Sequence, residues 1–256
     1  MSPPDDEEIA WVRDRKATAF ASKLLIAVFA VTSAYAIVRY VAFGLIKPAH
    51  IPLYVLNKAV AWSALVVLSV ALSIGPLARL WPHRFTGHLA YRKLVGLLGL
   101  VLASGHVLMA LPILTPAYYP RFFSESSQFT ALAEFTMAAG IWSWLMLLPP
   151  AAVSLPAVEQ AMSPEAWRRS QRWAVWALTV TLVHLLYGAP NWVRPGTWHG
   201  GLPPITLLCA LTVAVVLLLR MIGQSKPADG HNPSDRSVRV RRSIEPPING
   251  NELDLC

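Results

Sequence analysis

Two histidines lie in the middle of otherwise apolar stretches: His106 in "LASGHVLMAL" and His184 in "TVTLVHLLYG". The other five, His50, His83, His88, His199 and His231, fall in segments rich in Pro, Gly and charge. A neutral imidazole offers one N–H donor and one lone pair, so it can bridge helices by a hydrogen bond or ligate a metal. Ionisable groups inside a bilayer are costly and by default mark function.

The surrounding elements are membrane spans. Of 256 residues, 55% are hydrophobic and only 14% charged, and the mean hydropathy is +0.46. Soluble domains carry about a quarter charged residues. The apolar residues come in six blocks, roughly 21–45, 53–78, 93–114, 129–150, 173–190 and 205–222, and each approaches the ~20 residues that a spanning helix needs. None alternates as a strand does, and open sheets cannot sit in lipid. The expected fold is an all-α integral membrane protein, a bundle of six transmembrane helices. The net charge of +8 follows topology and gives no reason to expect a nucleic-acid partner. With both termini cytoplasmic, 17 of the 22 Lys and Arg residues fall inside, leaving Arg39, Lys47, Lys58, Arg121 and Arg194 outside. That asymmetry is the positive-inside pattern, and the expected location is the inner (plasma) membrane.

On these spans the two histidines are level. The third and fifth helices run in the same direction. His106 follows Lys93 by 13 residues, and His184 follows Arg172 by 12. At about 1.5 Å per residue both imidazoles sit roughly 18–20 Å from the cytoplasmic ends. Two level imidazoles facing across a bundle can serve as axial ligands of a b-type heme, and a bis-His site favours electron transfer over oxygen chemistry. No carboxylate or thiol is placed at that level, Glu134 being nearer the outer surface and Cys209 having no assigned depth, which sets heme ahead of another metal site. Gly96, Gly99, Ala103, Ser104 and Gly105 would let a porphyrin approach the third helix. Gly99 precedes His106 by close to two turns and shares roughly its face. The alternative is that each histidine bonds a Ser, Thr or carbonyl on a neighbouring helix as polar glue.

Residues 1–20 read as a charged cytoplasmic lead-in, 21–222 as one membrane domain, and 223–256 as a disordered cytoplasmic tail rich in Pro, Gly, Asn, Ser and Arg. In "SPEAWRRSQRW", Ser163 is the expected N-cap and Pro164 the first helical residue. Cys209 and Cys256 suggest neither a disulfide framework nor a metal pair. No GxGxxG follows a strand, so an electron donor would be a separate molecule.

Several stretches resemble one family. "YRKLVGLLGLVLASGH" is similar to the basic-basic-x-x-Gly…His third helix of the ferric reductase-like transmembrane domain superfamily. "SLPAVEQAMSPEAWRRSQRWAVWALTVTLVHLLYG" is similar to its fifth-helix region, and "LSIGPLARLW" resembles the end of its second helix. The resemblance covers roughly residues 55–190. The nearest pattern is the heme-binding membrane subunit that feeds a periplasmic methionine sulfoxide reductase.

The resemblance implies an oxidoreductase membrane subunit, a cytochrome b that passes electrons across the membrane. Its electrons would come from quinol, or from a flavin or NAD(P)H-linked flavoprotein, and leave to an outer acceptor such as a periplasmic redox partner. His106 and His184 match the outer-heme ligands. Two-heme members carry further histidines nearer the inner face, where this chain has Arg92 or Lys93 and Gln171. One heme b is therefore expected, with FMN or a quinone as a further cofactor candidate, and His83 or His88 as the substitutes to check for a second iron. Arg92, Lys93, Arg169 and Arg172 could hold heme propionates or a flavin phosphate by charge-assisted bonds, or simply anchor the inner face. A heme-free scaffold, sensor or transporter on the same fold is the rival reading.

Overall fold

A computed structural model describes residues 6–44, 46 and 48–225. Residues 226–256 of the expected tail, with Lys226, Arg236, Arg239, Arg241, Arg242, His231 and Cys256, lie outside the described residues, as do residues 1–5 of the lead-in and Lys47.

Six long helices form the bundle: α1 Asp6–Ile37, α2 Leu56–Leu80, α3 Arg92–Ile113, α4 Ala131–Leu145, α5 Pro164–Leu185 and α6 Ile205–Ser225. All six helical segments are long and apolar enough to cross a membrane. Between them run short helical turns, and the described residues contain no sheet, only one isolated bridge between Phe123 and Phe129. The lead-in is continuous with the first span, because α1 already starts at Asp6. Ser163 does cap α5, accepting from the Ala166 N–H at 3.3 Å ahead of Pro164, and Thr130 caps α4 through Ala133 N at 3.2 Å.

The surface explains the apolar composition. Leu108 and Met221 are 67% and 68% exposed, and Val101, Ile26 and Trp176 face outward as well. Water would oppose that surface, whereas lipid solvates it. The inside is small and polar by comparison. Central helix α2 buries Asn57, Ala59, Ser63, Ala64, Ser69 and Ala71. Small residues let helices approach closely where no hydrophobic force pulls them together. Thus α2 packs along α3, α1 packs against both, and α4 packs along α5.

Hydrogen bonds fix the rotation of these pairs. Thr32 Oγ1 and Ser63 Oγ, both buried, meet at 2.6 Å and tie α1 to α2. Ser143 Oγ donates to the Ala177 carbonyl at 2.8 Å and lies 2.6 Å from Thr181 Oγ1, tying α4 to α5. Trp144 Nε1 donates to Ser104 Oγ at 3.0 Å, tying α4 to α3.

Two of the five basic residues assigned to the outer side are not loop anchors. Arg39 is 4% exposed, and its Nη1 donates to the Leu202 carbonyl. Lys58 points into the bundle. A long side chain at a helix end can reach inward or outward, and sequence alone does not distinguish the two.

Candidate functional site

His106 comes from α3 and His184 from the last turn of α5. Both line one cavity of about 270 Å³, whose walls also include Lys58, Ala103, Gly140, Ser143, Thr181 and Tyr187. The bundle therefore brings together the two imidazoles that the sequence placed at one level.

Each ring is oriented by one hydrogen bond. His106 Nδ1 lies 2.7 Å from Asn57 Oδ1, and His184 Nδ1 lies 2.8 Å from the Thr136 carbonyl oxygen. Both partners can only accept, so each Nδ1 carries the proton and donates. In a neutral imidazole this leaves the lone pair on Nε2. Asn57 and Thr136 are 1% and 0% exposed, so neither acceptor is diverted by solvent. Outer partners of this kind set the tautomer and direction of metal-ligating histidines.

Room for the His184 ring comes from Gly140. A Cβ built there would stand 2.7 Å from His184 Nδ1 and 3.0 Å from Cε1. Any side chain at 140 would have to displace the ring. Gly140 was not among the residues the sequence singled out, and neither was Asn57. The available signal was one glycine in an apolar span and one amide in the first turn of α2, and both types are common there for other reasons.

The remaining candidates lie elsewhere. Arg92 and Lys93 border a second cavity of about 370 Å³ with Gly96, Glu159, Trp167 and Gln171. It sits at the end of the bundle where α3 and α5 begin. Lys93 Nζ is paired with Glu159 Oε2 at 2.7 Å, and Gln171 Nε2 donates to the Pro150 carbonyl at 3.3 Å. Arg172 is exposed and borders neither cavity. Gly99 is buried against α2, where a Cβ would meet Leu68 Cγ at 2.6 Å. It therefore sets the α2–α3 approach and borders neither cavity. Leu68 and Leu147 are walls of both cavities, so the two adjoin there.

His83 is exposed, and His88 packs among Phe20, Phe85 and Tyr91. Neither borders the second cavity. Among the described residues no three His, Cys, Asp or Glu side chains are grouped to hold a metal ion. Cys209 is buried and free, on the wall of the histidine cavity. Glu134 is exposed in the first turn of α4, at the rim.

Residues 59–182 match the family described as the ferric reductase like transmembrane component. The match supports the superfamily that the third- and fifth-helix motifs resemble. It runs from α2 through nearly all of α5, includes His106 and stops two residues before His184. No curated protein matches the chain. The six spans give a multi-pass membrane protein, and the match makes its middle part similar to a ferric reductase like transmembrane component.

Proposed function

We propose that the protein is a membrane b-type cytochrome that binds one heme b between His106 and His184 and carries electrons from a donor at the α3 and α5 start to an acceptor at the opposite face. The observation that carries this reading is the pair of imidazoles on one cavity, each with Nδ1 held by a buried acceptor and Nε2 left as the lone-pair nitrogen. Polar glue between helices needs one such bond. It does not account for both rings bordering the same space, nor for a glycine that makes room for one of them. The donor set suits heme iron: two imidazoles, no carboxylate on the cavity wall, and the Cys209 thiol there as a lone further group.

When bound, a bis-imidazole heme supplies one-electron transfer with no open coordination position. The chain's own part is to hold the ligands. Asn57 and Thr136 keep each ring in the ligating tautomer, and Leu108 and its neighbours keep lipid around the bundle. The second cavity, between Arg92, Gln171 and Trp167, is the docking place we assign to a quinol or flavin donor, FMN included. Its shared walls Leu68 and Leu147 make the step to the histidine cavity short. A separate flavoprotein could reach the same end. With the basic end inside, that donor end faces the cytoplasm, the membrane is the inner (plasma) membrane, and the acceptor is a periplasmic redox partner, as for the sulfoxide reductase subunit that the motifs resemble.

The test is a dithionite-reduced minus oxidised spectrum of the protein in mild detergent, with heme quantified per chain, beside His106→Ala and His184→Ala. A b-type spectrum near one heme per chain, lost in either variant while helical circular dichroism is kept, is the expected result. No heme after expression with ample heme supply would refute the cytochrome and favour the scaffold reading.

A further inference from the structure

Lys58 follows Asn57 directly in the first turns of α2, and its side chain enters the cavity that the two histidines border. Its Nζ lies over three tyrosine rings, 4.4 Å from the centroid of Tyr54, 5.2 Å from Tyr119 and 5.4 Å from Tyr40. Tyr40 and Tyr119 border the cavity too. Aromatic faces hold an ammonium in place but leave its charge uncancelled. Among the described residues the one ion pair is Lys93–Glu159, at the other end of the bundle. No carboxylate of the described chain therefore answers Lys58. An uncompensated charge in a half-buried site is expensive, and inside a membrane it points to a ligand or a pathway.

The counter-charge has to come from what fills the cavity. We propose that Lys58 is the carboxylate-binding site of this cavity and takes a propionate of the porphyrin held between His106 and His184. This rests on the cytochrome reading and extends it to a residue outside the iron ligands. A short N⁺–H···O⁻ bond of this kind is among the stronger hydrogen bonds. The residues that would hold that carboxylate lie at the start of α2, beside Tyr40, Tyr54 and Tyr119. Without Lys58 the propionate charge stands alone near the iron, which favours the ferric form and lowers the midpoint potential.

The experiment titrates apo-protein, purified in detergent from heme-limited cells, with hemin and with hemin dimethyl ester, whose propionates are neutral. Wild type, Lys58→Met and Lys58→Arg are compared, with circular dichroism to check the fold. For hemin, Lys58→Met should bind about tenfold more weakly, the worth of one hydrogen bond to a charged group. Its midpoint potential should fall, and Lys58→Arg should restore most of both. For the dimethyl ester, wild type and Lys58→Met should bind alike. Equal hemin affinity and equal potential in wild type and Lys58→Met would overturn the assignment. So would an equal loss for hemin and ester, which would make Lys58 a packing residue. A wild-type potential that moves with added acetate, while hemin and ester bind alike, would mean a diffusible anion and not the propionate. The wild-type hemin and ester comparison stands even if Lys58→Met does not fold. If wild type binds neither porphyrin, the cytochrome reading itself fails, an outcome distinct from all the others.

Discussion

The imidazole of His184 occupies the space that a side chain at Gly140 would fill: a Cβ at residue 140 would come within 2.7 Å of His184 Nδ1. One turn earlier on the same helix, the Thr136 carbonyl accepts the proton of that Nδ1. α4 thus provides the ring's orienting acceptor and its clearance on a single face. A small change at 140 should therefore reach the site without breaking the bundle.

Gly140→Ala separates these effects. Alanine in a helix interior gains about 1 kcal/mol over glycine from propensity alone, while forcing a ring aside costs about 1–3 kcal/mol. The net stability should change little. Heme content per chain should drop, or the reduced spectrum should shift as His184 is displaced. Heme analysis and thermal unfolding on the same sample check this, and a fully loaded Gly140→Ala with an unshifted spectrum would count against His184 as a ligand.

Asn57→Leu removes the acceptor for His106 Nδ1 at similar volume. Loss of such an orienting partner typically weakens metal binding by ~10–100-fold. Heme should be retained less tightly through dialysis, and Asn57→Asp, which accepts more strongly, should lower the midpoint potential below that of the wild type. Potentiometry of the three forms orders them. An unchanged potential in Asn57→Asp would show that His106 does not touch the iron.

The Thr32–Ser63 contact is structural. Interhelical bonds of this kind average about 0.6 kcal/mol in membrane proteins. A double-mutant cycle with Thr32→Val and Ser63→Ala, followed by unfolding in detergent, should return a coupling of that size. Heme content should stay at the wild-type value, since neither residue borders the cavity.

Lys93 and Glu159 are 42% and 45% exposed. Exposed pairs contribute roughly 0–1 kcal/mol and are screened by salt. Glu159→Gln should leave the melting temperature within a few degrees of wild type at high salt. If the adjoining cavity takes the donor, the same change should alter the rate at which a short-chain quinol reduces the heme, and stopped-flow absorbance reads that rate.

The six spans were legible as apolar blocks, and their observed limits differ from the blocks mainly by extension into flanking polar turns. The N-cap Ser163 was legible because capping is a local contact. The two histidines stood out because they are polar where all else is apolar, and the rise per residue put them level. Gly99 was read as room for a porphyrin because it lies two turns from His106, yet it faces Leu68 on α2. Lys58 was counted as an outer anchor, whereas it turns inward onto tyrosines.

The sequence alone determined the number and order of the helices and the position of each histidine along its helix, because hydropathy and helix rise act along a single chain segment. The tertiary structure decided what each imidazole faces. His106 meets Asn57 from 49 residues away, and His184 meets Thr136 from 48. A helix turns by about 100° per residue, so a side chain's direction depends on how its helix is rotated against its neighbours. That rotation is set by small residues and interhelical hydrogen bonds on several helices at once, such as Gly140 against His184 and Ser143 against Ala177.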